Sequence, residues 1–225
     1  MDILRFVSAS EAAVLVEFGD GLNGEIRPEI VQRIHRLVAL LDLSPLDGLL
    51  EVTPAYSSLL VEFDPLRLLE SDVIGHVRFC LEQIGQIKLP SVQTLEIPVF
   101  YGGEYGPDLP YCAERLKMSV SQLVEAHCDQ VYSVAFFGFL PGFAYLIGWP
   151  QKWAMPRLDS PRAKVPAGSV AIAGSQCGVY PTISPGGWRI LGRTPARVID
   201  LERKDFCLFP IGAQVRFYPS SPSAW

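Results

Sequence analysis

After Val131 the chain never again sustains a helical period. Short β-like runs, at Val131–Phe139, Ser169–Ala173, Trp188–Gly192, Arg197–Asp200 and Gln214–Tyr218, alternate with Gly and Pro. Many short strands between Gly/Pro turns can bury a core only by closing on themselves, so this half reads as a barrel or closed sandwich. The half before it has another texture. Ala13–Phe18 alternates as a strand and ends at Gly19-Asp20-Gly21. From Pro28 the period changes: Ile30, Ile34, Leu37, Val38 and Leu41 share one helical face. Leu49–Thr53 and Ser58–Phe63 read as strands around a turn at Pro54. A second helix presents Leu69, Val73, Val77, Cys80 and Ile84, with Asp64 as its expected cap and Gly85 as its expected end. Thr94–Tyr101 is the next strand, and Pro98 within it predicts an edge position.

The order strand-strand-helix-strand-strand-helix-strand predicts a small α+β domain, a βαβ-rich two-layer sandwich over residues 1–90. A β-barrel domain over 91–225 follows, with the boundary near Leu89-Pro90-Ser91. A chain of 225 residues is long enough for two such cores. In the second part, Ser119-x-x-Gln122 is a capping-box pattern ahead of Val120, Leu123 and Val124.

Composition narrows the function classes. A net charge of −5 lacks the basic balance of a nucleic-acid binder. The N-terminus has no apolar core of a signal peptide, and Val134–Trp149, the most apolar stretch, is broken by Gly138, Pro141, Gly142 and Gly148. Neither a membrane nor a nucleic acid is therefore an expected partner. Five cysteines without a C-x-x-C pair suit a reducing cytoplasm. His35, His76 and His127 lie far apart, so no metal site is expected.

Several segments carry side chains suited to chemistry. The loop Tyr101–Asp108 holds three glycines and two carboxylates. Glu104 suits a general base or a metal contact, and Asp108 either shares that role or caps the next helix. His127 falls on the apolar face of its helix, as a hydrogen-bonded core residue or a proton shuttle. Phe137–Tyr145 interleaves glycines with aromatics, as a pocket wall or a buried corner. Arg157, Arg162 and Lys164 sit in a proline-stiffened stretch fit to clamp a carboxylate or phosphate. Further on, Gly186-Gly187 offers an anion nest, Trp188 a stacking surface and Arg193 a further cation. Cys177 needs a nearby base to act as a nucleophile, and none is evident in the sequence. There is neither a Walker A loop nor a G-x-G-x-x-G turn opening a helix.

These segments resemble the KipI family, also called the B subunit of 5-oxoprolinase or allophanate hydrolase subunit 1. The likeness is carried by Ile97–Leu109, His127, Phe137–Leu146, Pro156-Arg157, Pro161-Arg162, Val165–Val170, Ala173-Gly174, Gly178–Pro181 and Ser184–Trp188. It weakens before about residue 90, and Cys177 stands where relatives more often have Thr. The resemblance implies a cyclophilin-like barrel and kinship with the carboxyltransferase region of urea carboxylase. It also implies two partners: a larger KipA-type protein (the C subunit of 5-oxoprolinase) and a LamB/YcsF-type protein (the A subunit). Such an assembly cleaves 5-oxo-L-proline to L-glutamate with ATP, and the chain alone is expected to be inactive. On this reading ATP, with Mg2+, is the co-substrate. Glu104, His127 and Lys164 become catalytic candidates, and Arg157, Arg162, Tyr180, Gly186, Gly187, Trp188 and Arg193 become substrate- or phosphate-binding candidates. The resemblance leaves other readings open: an inhibitor that binds a sensor histidine kinase through its N-terminal domain, or part of an enzyme acting on allophanate or another urea derivative. Prolyl isomerisation rests on the barrel fold alone.

Overall fold

The structure, a computed structural model, describes residues 4–19, 26–86, 94–204 and 206–221. Two compact units, Met1–Ser91 and Val92–Trp225, divide the chain. The expected boundary at Leu89–Ser91 lies outside the described residues.

In the first unit, β1 (Leu4–Ser10), β2 (Ala13–Phe18), β3 (Leu49–Pro54) and β4 (Ser58–Phe63) form a sheet ordered β1-β2-β4-β3. Every neighbouring pair is antiparallel. It follows that β2 and β3 run parallel with β4 between them, a split βαβ unit bridged by α1 (Pro28–Leu43). Alternation puts Val14, Val16 and Phe18 on the same face as Leu59, Val61 and Phe63. That face packs with Ile30, Ile34, Leu37, Leu40 and Leu41 of α1, and with Val73, Val77 and Cys80 of α2 (Glu70–Glu82). Asp64 does not cap α2. Its Oδ1 accepts the Leu66 N–H at 3.0 Å in a local turn, and Asp72 Oδ2 instead takes the Leu69 N–H at 2.9 Å where the helix begins. Leu69, outside the first turn, is exposed. The helix ends at Glu82, before Gly85.

The second unit begins with β5 (Thr94–Tyr101), α3 (Leu109–Leu116) and α4 (Val120–Cys128). Then come β6 (Tyr132–Phe137), β7 (Ala144–Ile147), β8 (Arg162–Val165), β9 (Ser169–Ala173) and β10 (Gln176–Val179). The last strands are β11 (Ser184–Gly186), β12 (Arg189–Arg193) and β13 (Gln214–Pro219). A closed barrel runs β10-β7-β6-β13-β5-β12-β9, and β8 and β11 form a separate two-stranded ribbon. Only β5 and β13 pair in parallel within the barrel. Pro98 is therefore not on an edge strand. It sits where β5 pairs with β13 alone, because β12 joins only at Phe100 and Tyr101, so its missing N–H breaks no ladder bond to β12. Arg197–Asp200 forms no strand; only Ile199 bridges, to Cys207. The capping box forms, with Gln122 N–H donating to Ser119 Oγ at 3.1 Å and Ser119 N–H donating to Gln122 Oε1 at 2.8 Å. Among the described residues no helix is long and apolar enough to cross a membrane.

Candidate functional site

Strand alternation fixes the first cleft. Arg162 and Lys164 are two residues apart on β8, so they project from the same face. Val165 points the other way, into a cluster with Phe143, Tyr180 and Trp188. Arg193, at the end of β12, and Glu104, in the loop after β5, join the two cations. Glu104, Arg162, Lys164 and Arg193 thus line one cleft of about 290 Å3, together with Tyr105 and Ser169. Three cations against one carboxylate leave it net positive.

The loop that carries Glu104 is pinned to β12. Gly102 N–H donates to the Leu191 carbonyl at 3.1 Å and Asp108 N–H to the Ile190 carbonyl at 3.1 Å. A Cβ at Gly106 would run into the Leu191 carbonyl, so only glycine lets the two backbones come this close.

Asp108 has a different task from either one expected. It precedes α3 but makes no side-chain cap. Its Oδ1 accepts from Arg162 Nη2 at 2.9 Å and lies 3.7 Å from Arg189 Nη1, while Oδ2 accepts the Ile190 N–H at 2.7 Å. A nearly buried carboxylate thereby orients the guanidinium that faces the cleft. Arg162 Nη1 is buried and has no hydrogen-bond partner among the described residues. Arg193 is steadied by Nε donating to the Ala167 carbonyl at 2.8 Å.

Arg157 does not join these cations. It lines a second, smaller pocket of about 100 Å3 with Phe139, Phe143, Tyr145, Tyr180, Gly186, Gly187 and Trp188. Its guanidinium carbon lies 6.0 Å from the Trp188 ring centre. The Phe137–Tyr145 segment is thus both pocket wall and core, since Phe143 is buried while Phe139 stays exposed at the mouth. The expected Gly186-Gly187 nest does not form. Neither glycine takes a positive φ, and Gly186 lies in β11 against the Tyr180 ring, where a Cβ would clash.

His127 lines neither cavity. It is completely buried in the barrel, ringed by Tyr101, Tyr132, Trp149 and Phe217. Nδ1 is 2.7 Å from the Tyr101 hydroxyl and Nε2 is 3.5 Å from Cys177 Sγ. Burial holds its pKa down to about 3, so the ring is neutral. Of the two roles read from the sequence, the hydrogen-bonded core residue is the one this geometry fits. The same contact gives Cys177 the neighbouring base that the sequence did not reveal. Yet burial raises the thiol pKa and lowers that of the imidazole, the reverse of an activated thiolate–imidazolium pair. Among the described residues no three His, Cys, Asp or Glu side chains cluster as metal ligands.

Asp108's anchoring role and Arg189 were not assigned from sequence. Asp108 and Arg189 meet only through packing across 81 positions (189 − 108), which no local pattern encodes.

The comparisons agree with this architecture. A model of the carboxyltransferase domain, subdomain C and D, matches residues 4–209. The chain is 34% identical over 217 residues to the 5-oxoprolinase B subunit of Bacillus subtilis, covering 92% of this chain and 89% of that one. It is 38% identical over 219 residues to the 5-oxoprolinase B subunit of Escherichia coli O157:H7, with 97% of each covered. The solved structure of TTHA0988 superposes with a TM-score of 0.79 at 35% identity, over 93% of this chain but only 40% of that longer one. Urea carboxylase from Kluyveromyces lactis shares the fold, with a TM-score of 0.75 at 18% identity over 98% of this chain and 22% of that one. By the extent of these matches, the chain belongs to the family of 5-oxoprolinase B subunits, within the carboxyltransferase domain, subdomain C and D.

Proposed function

We propose that this chain is the B subunit of a cytoplasmic ATP-dependent 5-oxoprolinase, with its barrel of the cyclophilin-like kind. It works with a larger KipA-like protein and a LamB/YcsF-type protein. The observation that carries this reading is the convergence of Arg162, Lys164 and Arg193 with Glu104 on one cleft.

A lactam resists water because its nitrogen donates into the carbonyl. In the proposed reaction the lactam oxygen attacks the γ-phosphorus of ATP and the bond to ADP breaks. The lactam nitrogen gives up its proton, and the carbon becomes open to water. One water then opens the ring to γ-glutamyl phosphate, and a second releases phosphate and leaves glutamate. Little covalent work falls to the protein; positioning and charge stabilisation dominate phosphoryl transfer. Arg162, its guanidinium held by Asp108, and Lys164, as a point charge, hold the transferring phosphoryl group. Arg193 adds a third cation to the cleft, and Glu104 takes the lactam proton. Mg2+ is expected to arrive with the nucleotide, held mainly by its phosphates and water, with Glu104 the carboxylate at hand.

The test is reconstitution: this chain with its KipA-like and LamB/YcsF-type partners, assayed for ADP release that depends on 5-oxoproline. Release that requires all three chains supports the reading. Full turnover by the two partners without this chain overturns it. A second reading, inhibition of a sensor histidine kinase through the first unit, draws on the exposure of Leu66 at 95% and Leu69 at 68%. Tight kinase binding by a preparation inactive with every partner present would favour it.

A further inference from the structure

Ser169 opens β9, lines the cationic cleft and is only 1% exposed. Its backbone is bonded in both directions: the N–H donates to the Pro166 carbonyl at 3.3 Å, and the carbonyl accepts the Tyr180 N–H at 2.9 Å. Its hydroxyl, by contrast, has no hydrogen-bond partner among the described residues, and unlike Arg162 Nη1 and Ser184 Oγ it is not sealed from solvent. A polar group this deep normally has a partner, so this one calls for an explanation.

Arg193 is its neighbour by two routes. The residues are register partners on β9 and β12, so their side chains leave the same face of the sheet with Cβ atoms roughly 5 Å apart. Arg193 Nε also donates to the Ala167 carbonyl at 2.8 Å, in the turn that leads into Ser169. Gly168 keeps that turn tight: its φ is +81°, and a Cβ there would run into the Thr194 carbonyl. Guanidinium and hydroxyl are thus set beside each other before any ligand arrives. Resting on the 5-oxoprolinase reading above, we propose that Ser169 Oγ is a ligand-binding group of the cleft, donating to a terminal oxygen of the same phosphoryl group that Arg193 meets, so that the two act as one clamp.

The number of donors favours a phosphoryl group over a carboxylate. A single guanidinium fork already matches both oxygens of a carboxylate. Arg162, Lys164, Arg193 and Ser169 together exceed what two oxygens need, whereas a phosphoryl group offers three terminal oxygens and spreads its charge over them. The cations supply attraction. The hydroxyl adds a donor without adding charge, so its contribution is to orientation.

Ser169→Ala isolates that contribution. It removes one oxygen, changes no charge and breaks no hydrogen bond among the described residues, so its melting curve should match or exceed that of the wild type. Calorimetric titration of the chain with pyrophosphate is then compared for wild type, Ser169→Ala and Arg193→Gln. Both variants should bind more weakly. For Ser169→Ala the expected loss is about tenfold to a hundredfold, that of one hydrogen bond to a charged group. In the complete three-chain assembly, kcat/KM for ATP should fall by a similar factor. Equal pyrophosphate affinity in wild type and Ser169→Ala overturns the clamp, since charge alone would then hold the anion and water would satisfy the hydroxyl. Absence of pyrophosphate binding by the wild type overturns it as well. Either result beside an active assembly leaves the 5-oxoprolinase reading standing. Weakened binding in Ser169→Ala beside an inactive wild-type assembly does the reverse: it supports the anion clamp and removes that reading.

Discussion

Replacing Asp108 by Asn tests whether the cationic cleft is built around a buried carboxylate. Asparagine keeps the shape and can still accept the Ile190 N–H, which now donates to Oδ2 at 2.7 Å. What it removes is the charge facing Arg162 at 2.9 Å and Arg189 at 3.7 Å. The Asp108 side chain is 7% exposed and that of Arg189 12%, so neither is well screened; Arg162, at 29%, is partly wet. Breaking a buried pair by removing one partner loses about 3–5 kcal/mol. The wet side of Arg162 and the retained acceptor bring the expected loss to about 2–3 kcal/mol. For a barrel unit of this size, that lowers its melting transition by roughly 6–12 °C. Function should suffer as well, because a guanidinium released from Asp108 is no longer held in place beside the cleft. Calorimetry of the chain and the ATP KM of the assembly measure the two effects. A double-mutant cycle with Arg162→Gln should give a coupling of at least about 1 kcal/mol. Additive effects, or a melting transition within 2 °C of wild type, would refute this account of Asp108.

Two further predictions concern the barrel interior. His127 has a folded pKa of about 3, below its unfolded value of 6.5. The unfolded chain therefore binds more protons between these pH values, and stability falls as pH drops from about 6.5 towards 3. By pH 5 the loss is about 2 kcal/mol, and His127→Gln should flatten that part of the stability–pH curve; an unchanged slope in the variant contradicts it. Cys177 should resist iodoacetamide in the native protein and react only after unfolding, and Cys177→Ala should keep wild-type turnover. Rapid native labelling or a hundredfold loss of activity in that variant would mean the thiol reaches substrate.

Legibility in the sequence followed the range of the interactions. The helix faces of the first unit and the capping box at Ser119 are local patterns, and the structure holds them much as their periodicity predicts. Asp64 and Pro98 mislead because a residue type has several uses. Asp caps turns as well as helices, and Pro fits any strand position that lacks a partner on its N–H side. Strands β7, β8, β10 and β11, only three or four residues long, are too short to show a period and are set by their neighbours in the sheet. In the candidate site, residue types were readable but grouping was not. Arg157 and Arg162 are five positions apart, yet they line different cavities: Arg162 opens β8, whereas Arg157 precedes the strand. His127 illustrates the reverse case, a titratable group whose helix face already placed it in the core.

The most direct test of the central claim, that the cations of one cleft act on the transferring phosphoryl group, is the turnover of Lys164→Ala in the complete assembly. Lys164 is exposed on β8, so its loss should leave the barrel intact. The account predicts a fall in 5-oxoproline-dependent kcat of about a hundredfold or more, the usual effect of removing one charge-stabilising group from a transition state. A kcat within twofold of wild type would contradict it.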